Sequence, residues 1–377
     1  FTRCGGPCPL LSTRMAKLSE TLPSEVGLLS VTVDPEGDTP TRLQLLAATQ
    51  HGQPASHLLL DLRWLSQLSY HRQLAARHPG RWPAPPPDAP ARATLPPELI
   101  AQPLTLLSRT NALIYLNPVY GQLPQENLFL QPHGPVLRAL PYVPGAITPP
   151  PLAPADIAAY EKYWAGSESL TSLRAATAPQ SLDGPVLARW HSQALNHWGV
   201  ELQRLGRLAE AGERFAQARA LNTNPVAAIN LTVNESLRAG RPIVSPAQQA
   251  DQLLAAHRSW DALLAAHGPV DEPELCFRLA QAYKQAGRRR QATIELLRTQ
   301  TLNPTNLPAR LLLAETFLEV QLPAAALEVI RSVRANPALA LPQNDLPLVR
   351  LEALALAQQT NFVAAEKLLL AARQRKP

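Results

Sequence analysis

The stretch Phe277-Arg278-Leu279-Ala280-Gln281-Ala282-Tyr283, followed by Ala286-Gly287, Gln291-Ala292, Leu296 and Pro304, decides the fold of the C-terminal half. A small residue precedes an aromatic by three positions, which puts both on one face of a helix. Glycine then marks a turn, alanine recurs in a second helix, and proline closes the unit. Ala314 and Phe317 repeat Ala280 and Tyr283 at a spacing of 34, and Ala326 repeats Ala292 likewise. An earlier unit reads Gly199, Leu202, Gly206, Leu208, Ala211, Phe215 and Ala218. A later one reads Ala353, Leu356, Phe362, Ala365, Leu369 and Ala372, shifted by a five-residue insertion near Pro337 to Gln343.

Two antiparallel helices approach to about 8 to 10 Å only where side chains are small, and larger aromatics fill the holes beside them. The spacing resembles the tetratricopeptide repeat. One such pair cannot bury both faces, so the pairs are expected to stack into a right-handed solenoid from about Trp190 to the end, with a concave surface that docks a protein partner. Helix is expected from Pro154 to Trp164 onward, and residues 151–377 are read as one all-α repeat domain.

The N-terminal part reads as α+β. Residues 1–45 hold a loop, a helix over Leu11 to Leu22 and a β-branched strand over Val26 to Val33. Residues 46–150 form a small mixed region: a helix at Thr41 to Gln50 leads in, followed by a strand at His57 to Leu62 and a helix at Trp64 to Arg77. Trp82 to Pro97 holds seven prolines and is expected to be an extended, solvated loop. A helix at Leu99 to Leu107, a strand at Ala112 to Leu116 and a hairpin follow, its arms Glu126 to Gln131 and Pro135 to Leu140 turning at Pro132-His133-Gly134. The prolines Pro149-Pro150-Pro151 mark the boundary.

Composition narrows the function. The chain is 46% apolar, enough for cores of ordinary size, but its apolar runs fall far short of the roughly 20 residues that cross a bilayer. It starts at Phe1 in what reads as mid-motif, so an anchor or signal upstream is left open. The net charge of +6 is spread along the sequence, and the one tight run, Arg288-Arg289-Arg290, lies at a helix corner where arginines suit terminal carbonyls. No aromatics interleave with it, which argues against nucleic acid. There is no glycine-rich phosphate loop, no ordered Ser/His/Asp set and no carboxylate pair, so no catalytic site is expected.

Phe1-Thr2-Arg3-Cys4-Gly5-Gly6-Pro7-Cys8-Pro9 is the one segment that carries chemistry. Two cysteines four apart, in a loop entering a helix, can meet one ion or each other, and the helix N-terminus favours thiolate. Soft thiolates suit Cu(I).

That segment, with Leu29-Ser30-Val31-Thr32-Val33-Asp34-Pro35 and Asp38-Thr39-Pro40 after it, resembles the SCO/SenC family of thioredoxin-like copper proteins over about residues 1–45. The resemblance implies a thioredoxin-like fold, copper held by Cys4, Cys8 and a distant histidine, a role in assembling the cytochrome oxidase copper centre, and an extracytoplasmic location. The histidine does not carry over: its place falls in Thr110-Asn111-Ala112-Leu113-Ile114-Tyr115-Leu116-Asn117-Pro118, which has none. Residues 50 to 377 are similar to something else. His57 to Leu62, Tyr70-His71 with Leu74, Tyr115-Leu116-Asn117-Pro118 with Tyr120-Gly121, Pro132-His133-Gly134, and Trp198 to Gln203 resemble the soluble repeat tails of bacterial multi-spanning proteins related to GT-C-like protein O-mannosyltransferases. That resemblance implies a vestigial cysteine pair, with any glycosyltransferase active site in a membrane portion outside this chain.

Other prominent residues are expected to be structural. His133 reads as a turn residue, and His191 and His197 stand about 240° apart on a helix, too far round to share a metal. Trp64, Trp164 and Trp198 read as packing anchors, Cys276 as a buried thiol, and Asn230-Leu231-Thr232 and Asn234-Glu235-Ser236 as chance sequons.

Overall fold

The computed structural model describes residues 27–31, 58–60, 64–80, 82–85, 94–115, 126–165, 184–244 and 247–374. Cys4, Cys8 and the helices read at Leu11 to Leu22 and Thr41 to Gln50 lie outside them. A small α/β region is followed by paired helices, as the periodicity requires. The chain divides into two compact units, the first comprising residues 1–231 and 257–269, the second 232–256 and 270–377.

In the first unit five strands form one sheet: β1 (Gly27–Val31), β2 (Leu58–Leu60), β3 (Asn111–Tyr115), β4 (Leu128–His133) and β5 (Val136–Pro141), in the order β2-β1-β3-β5-β4. β1 runs parallel to both neighbours, with Leu29 opposite Leu58 and Leu113, while β5 is antiparallel to both of its neighbours, β3 and β4. His133 pairs with Val136, so the hairpin turns at Gly134-Pro135 and His133 is the last strand residue, not a turn residue. Gly134 takes φ +59°, the first-position conformation that a two-residue hairpin demands of glycine. Helices α1 (Leu68–Arg77) and α2 (Pro97–Thr110) accompany the sheet. The core joins Leu60, Leu65, Tyr70, Leu74, Leu104, Leu113, Leu128 and Leu137 with Trp82.

Two tryptophan readings are reversed here. Trp64, expected as an anchor, is 53% exposed, because α1 starts only at Leu68 and Trp64 sits in the turn before it. Trp82, assigned to a solvated loop, is buried edge-on against His71, whose Nε2 bonds the Leu65 carbonyl oxygen at 2.7 Å. The far end of that loop is also tied down, since Leu95 N donates to Ser66 O and Thr94 bridges Gln67.

Still in this unit, α3 (Pro154–Ala165), α4 (Gly184–Arg204) and α5 (Leu208–Asn222) build a second core on Tyr160, Trp164, Leu195, Trp198, Leu202, Ala211, Phe215 and Ala218. Gly199 shows why the pattern needs a small residue: a Cβ there would sit 2.5 Å from Phe215 Cε1. Helix α6 (Pro225–Arg238) begins in this unit and α8 (Trp260–His267) belongs to it, while α7 (Ala247–Ala255) belongs to the second.

The second unit carries three helix hairpins: α9 (Pro273–Gln285) with α10 (Arg289–Leu302), α11 (Leu307–Glu319) with α12 (Pro323–Arg334), and α13 (Asp345–Gln358) with α14 (Phe362–Gln374). Each helix from α10 to α13 packs on the one before and the one after, and α11 also meets α13, so the second and third hairpins stack by their first helices. Ala280, Ala292, Ala314 and Ala326 are all buried at the crossings, beside Tyr283 and Phe317. The predicted insertion appears as the longer α12–α13 connection, which holds a short 3-10 turn at Pro342–Asn344. Polar side chains cap the starts: Asn306 Oδ1 accepts from Ala309 N at 3.0 Å, and the Glu272 carboxylate from Leu275 N at 2.8 Å.

Candidate functional site

Three hairpins that repeat in sequence also repeat the positions they present. Phe277, Leu311 and Arg350 are equivalent, as are Arg278, Leu312 and Leu351, and Gln281, Glu315 and Leu354, at spacings of 34 and then 39 residues. A groove of about 330 Å³ runs across these first helices. Phe277 and Gln281 come from α9, Pro308, Leu311, Leu312 and Glu315 from α11, and Pro347, Arg350 and Leu351 from α13. Leu351 is buried in the floor, Phe277, Leu311 and Leu312 are half-buried, and Gln281 and Arg350 are exposed at the rim. The prolines follow from helix chemistry, since Pro308 and Pro347 stand in first turns, where no intrahelical N–H bond is lost.

The charges around the groove are unequal. Glu315 Oε2 accepts from Lys284 Nζ at 2.7 Å, and Lys284 reaches Glu319 Oε1 at 3.0 Å. Arg289 Nε donates to Glu319 Oε2 at 3.2 Å. Burial pushes the Glu319 carboxyl up, but the hydrogen bonds and charges of Lys284 and Arg289 outweigh it and hold the group below its usual range. Arg350 has no ion-pair partner among the described residues. The groove therefore offers an apolar floor, one amide and one uncompensated cation.

The arginine run lies at the helix corner and touches both helix ends: the Arg288 backbone N–H donates to the Tyr283 carbonyl in the last turn of α9 at 2.8 Å, while Arg289 begins α10. Side-chain chemistry holds it as well: Arg288 lies over the Tyr283 ring at 5.7 Å and Arg289 meets Glu319.

The residues read as structural mostly are. Cys276 is fully buried, its thiol directed at Val270 O at 3.7 Å. Trp164 and Trp198 are buried, and His133 Nδ1 lies 3.3 Å from the Tyr160 hydroxyl. His191 and His197 are buried and, among the described residues, no three His, Cys, Asp or Glu side chains gather as a metal would need. No described helix is long and apolar enough to cross a membrane. Asn230 and Asn234 are fully buried, so neither presents its amide to a glycosylating enzyme.

Sequence reasoning missed a polar cluster in the first unit. Asn196 Nδ2 donates to the carbonyls of His267 at 3.0 Å and Pro269 at 2.9 Å; Asn224 donates to His267 O, and Asn230 to Pro269 O and to Asn196 Oδ1. Between them Gly268 takes φ +83°, and a Cβ there would stand 3.0 Å from Asn196 Nδ2. These amides clamp the segment leaving α8 onto α4. The available signal was the recurrence of asparagine on otherwise apolar helix faces.

Among curated proteins none matches this chain. Of solved structures, it is similar over 48% of its length to a crystal structure of MamA protein, covering 90% of that chain at 14% identity and TM-score 0.27. It is similar over 60% of its length to the TPR domain of P58(IPK), covering 66% of that chain at 12% identity and TM-score 0.24. These scores are too low to bear on function, and the repeat assignment rests on this chain's own helices. At the other end, the family model SCO1/SenC matches residues 1–55, a stretch that includes Cys4 and Cys8.

Proposed function

We propose that this chain is a non-enzymatic scaffold whose second unit binds a protein partner along the groove of α9, α11 and α13. One observation carries the reading: three equivalent helices present an apolar floor edged by Arg350, which lacks an ion-pair partner among the described residues. The partner that fits is a short segment offering apolar side chains to Phe277, Leu311 and Leu312 and a carboxylate to Arg350. Selection from a displayed random-peptide library on the full chain tests it. Enriched peptides should combine apolar and acidic residues and lose at least about tenfold in affinity to a Leu312→Glu/Arg350→Glu variant. Equal affinity for that variant would sink the groove as the site.

The family match over residues 1–55 supports a second component, an extracytoplasmic Cu(I) or thiol-redox site on Cys4 and Cys8 that serves assembly of a copper centre. Two thiolates are a donor set that suits Cu(I) and serves Cu(II) poorly. In the competing reading, the tail of a glycosyltransferase-like membrane protein, the cysteines are idle and the groove alone works. An anaerobic Cu(I) competition titration separates them: one tight equivalent, lost in Cys4→Ser/Cys8→Ser, is expected, and identical titrations of both proteins would exclude copper.

A further inference from the structure

The last helix of the second unit turns an apolar face outward. Of α14, Ala365 alone among its described residues is buried, while Phe362 is 64%, Val363 80%, Leu369 50% and Leu370 50% exposed. Leu369 occupies the repeat position of Leu296 and Ile330, which are buried in the earlier hairpins, whereas Phe362 stands at that of Arg289 and Pro323, which are not. For Leu369 the difference is that those hairpins have a following helix packed on them, and nothing among the described residues of this unit covers α14.

At about 100° per residue, Phe362, Val363, Glu366, Leu369, Leu370 and Arg373 fall within an arc of about 120°. Glu366 and Arg373 thus lie on the axis of the apolar stripe. Both are exposed, and neither has an ion-pair partner among the described residues. At seven positions apart they stand about 10 Å from each other along the helix, too far to pair with one another.

The order of charges makes the stripe complementary to itself. In an antiparallel pairing about a twofold axis between Leu369 and Leu370, each Leu369 meets Leu370 of the second copy and each Glu366 meets Arg373 of the second copy. In a parallel pairing like charges would face each other and repel. An isologous contact uses one patch twice, and this patch has the required symmetry.

We propose that α14 is a self-association surface, through which two copies of this chain pair antiparallel with reciprocal Glu366–Arg373 ion pairs around a leucine centre. One helix face per copy is a small interface, so the dimer is reversible and weak, with a Kd on the order of micromolar. The proposal is independent of the groove on α9, α11 and α13.

Sedimentation velocity of the full chain over about 1 to 200 µM tests it. A monomer–dimer equilibrium is expected, weakened at least about tenfold by Glu366→Arg alone and by Arg373→Glu alone, and restored to within about threefold in the double swap. These positions are exposed, so the variants keep the fold, which far-UV circular dichroism checks. A monomer throughout the range would overturn the proposal. So would a dimer indifferent to the single reversals, or a double swap as weak as the singles.

Discussion

Gly199 and the tryptophans show what a single residue's identity reveals and what it conceals. Glycine at 199 is dictated by the Phe215 ring, 2.5 Å from where a Cβ would stand, and the repeat pattern announces that need because small and aromatic residues recur together. Gly199→Ala must push the ring or the helix aside, destabilising the first unit by about 1 to 3 kcal/mol. A urea titration followed by tryptophan fluorescence measures it, and an unchanged midpoint would mean that the crossing has slack. Tryptophan burial was not legible in the same way. Trp64 and Trp82 look alike in sequence, and only the late start of α1 and the contact with His71 decide which is buried. The buried asparagines were equally silent, because a polar residue in a helix reads as surface until the carbonyls of His267 and Pro269 are found beside it.

At the scale of elements, the hairpins were legible because their period is carried by residues the geometry cannot replace, and the turns add a signal that periodicity missed. Gly206, Gly240 and Gly287 adopt positive φ at helix ends, and Gln321 and Thr360 hold the same place at φ +61°. All five turns make the same closing bond: Arg207 N to Leu202 O, Arg241 N to Ser236 O, Arg288 N to Tyr283 O, Leu322 N to Phe317 O and Asn361 N to Leu356 O. A left-handed residue with a side chain is strained by roughly 1 to 2 kcal/mol. Gln321→Gly should therefore stabilise the second unit by about 0.5 to 1 kcal/mol, the remainder offset by glycine's greater freedom in the unfolded chain. A denaturation midpoint lower than the parent's would contradict that. The arginine corner was found by sequence, but a run at a turn belongs to two helix ends of opposite polarity, and only the structure shows that Arg288 packs on Tyr283 while Arg289 reaches Glu319.

For the whole molecule, the division of residue types between the two units is itself informative. All nine histidines and all six tryptophans fall within the first unit. Burial lowers His71 and His133; it takes His197 to about 3, helped by Arg204, and His267 to about 4, helped by His257 and Arg189. An unfolded chain takes up protons near pH 6.5 that these folded imidazoles refuse. The first unit thus keeps its full stability above about pH 6.5 and loses it as pH falls toward 4, by up to about 1.4 kcal/mol per pH unit for each such histidine. The second unit has no histidine, and a carboxylate held low, such as Glu319, stays ionised to below the usual range. Between pH 7.5 and 5 the urea midpoint by tryptophan fluorescence should fall, while the later part of the circular dichroism transition stays in place. A common shift of both signals would show that the titration is not confined to the first unit. The cysteine site read at Cys4 and Cys8 stands outside the described residues, so its test is chemical.

If the groove across α9, α11 and α13 is where a partner binds, hydrogen exchange of the full chain with and without a library-selected peptide will map the partner there. Slowed exchange should concentrate in residues 274–281, 308–315 and 347–354, with Arg350→Glu abolishing it in all three together. Protection confined to other helices, or protection that survives Arg350→Glu, would contradict the account.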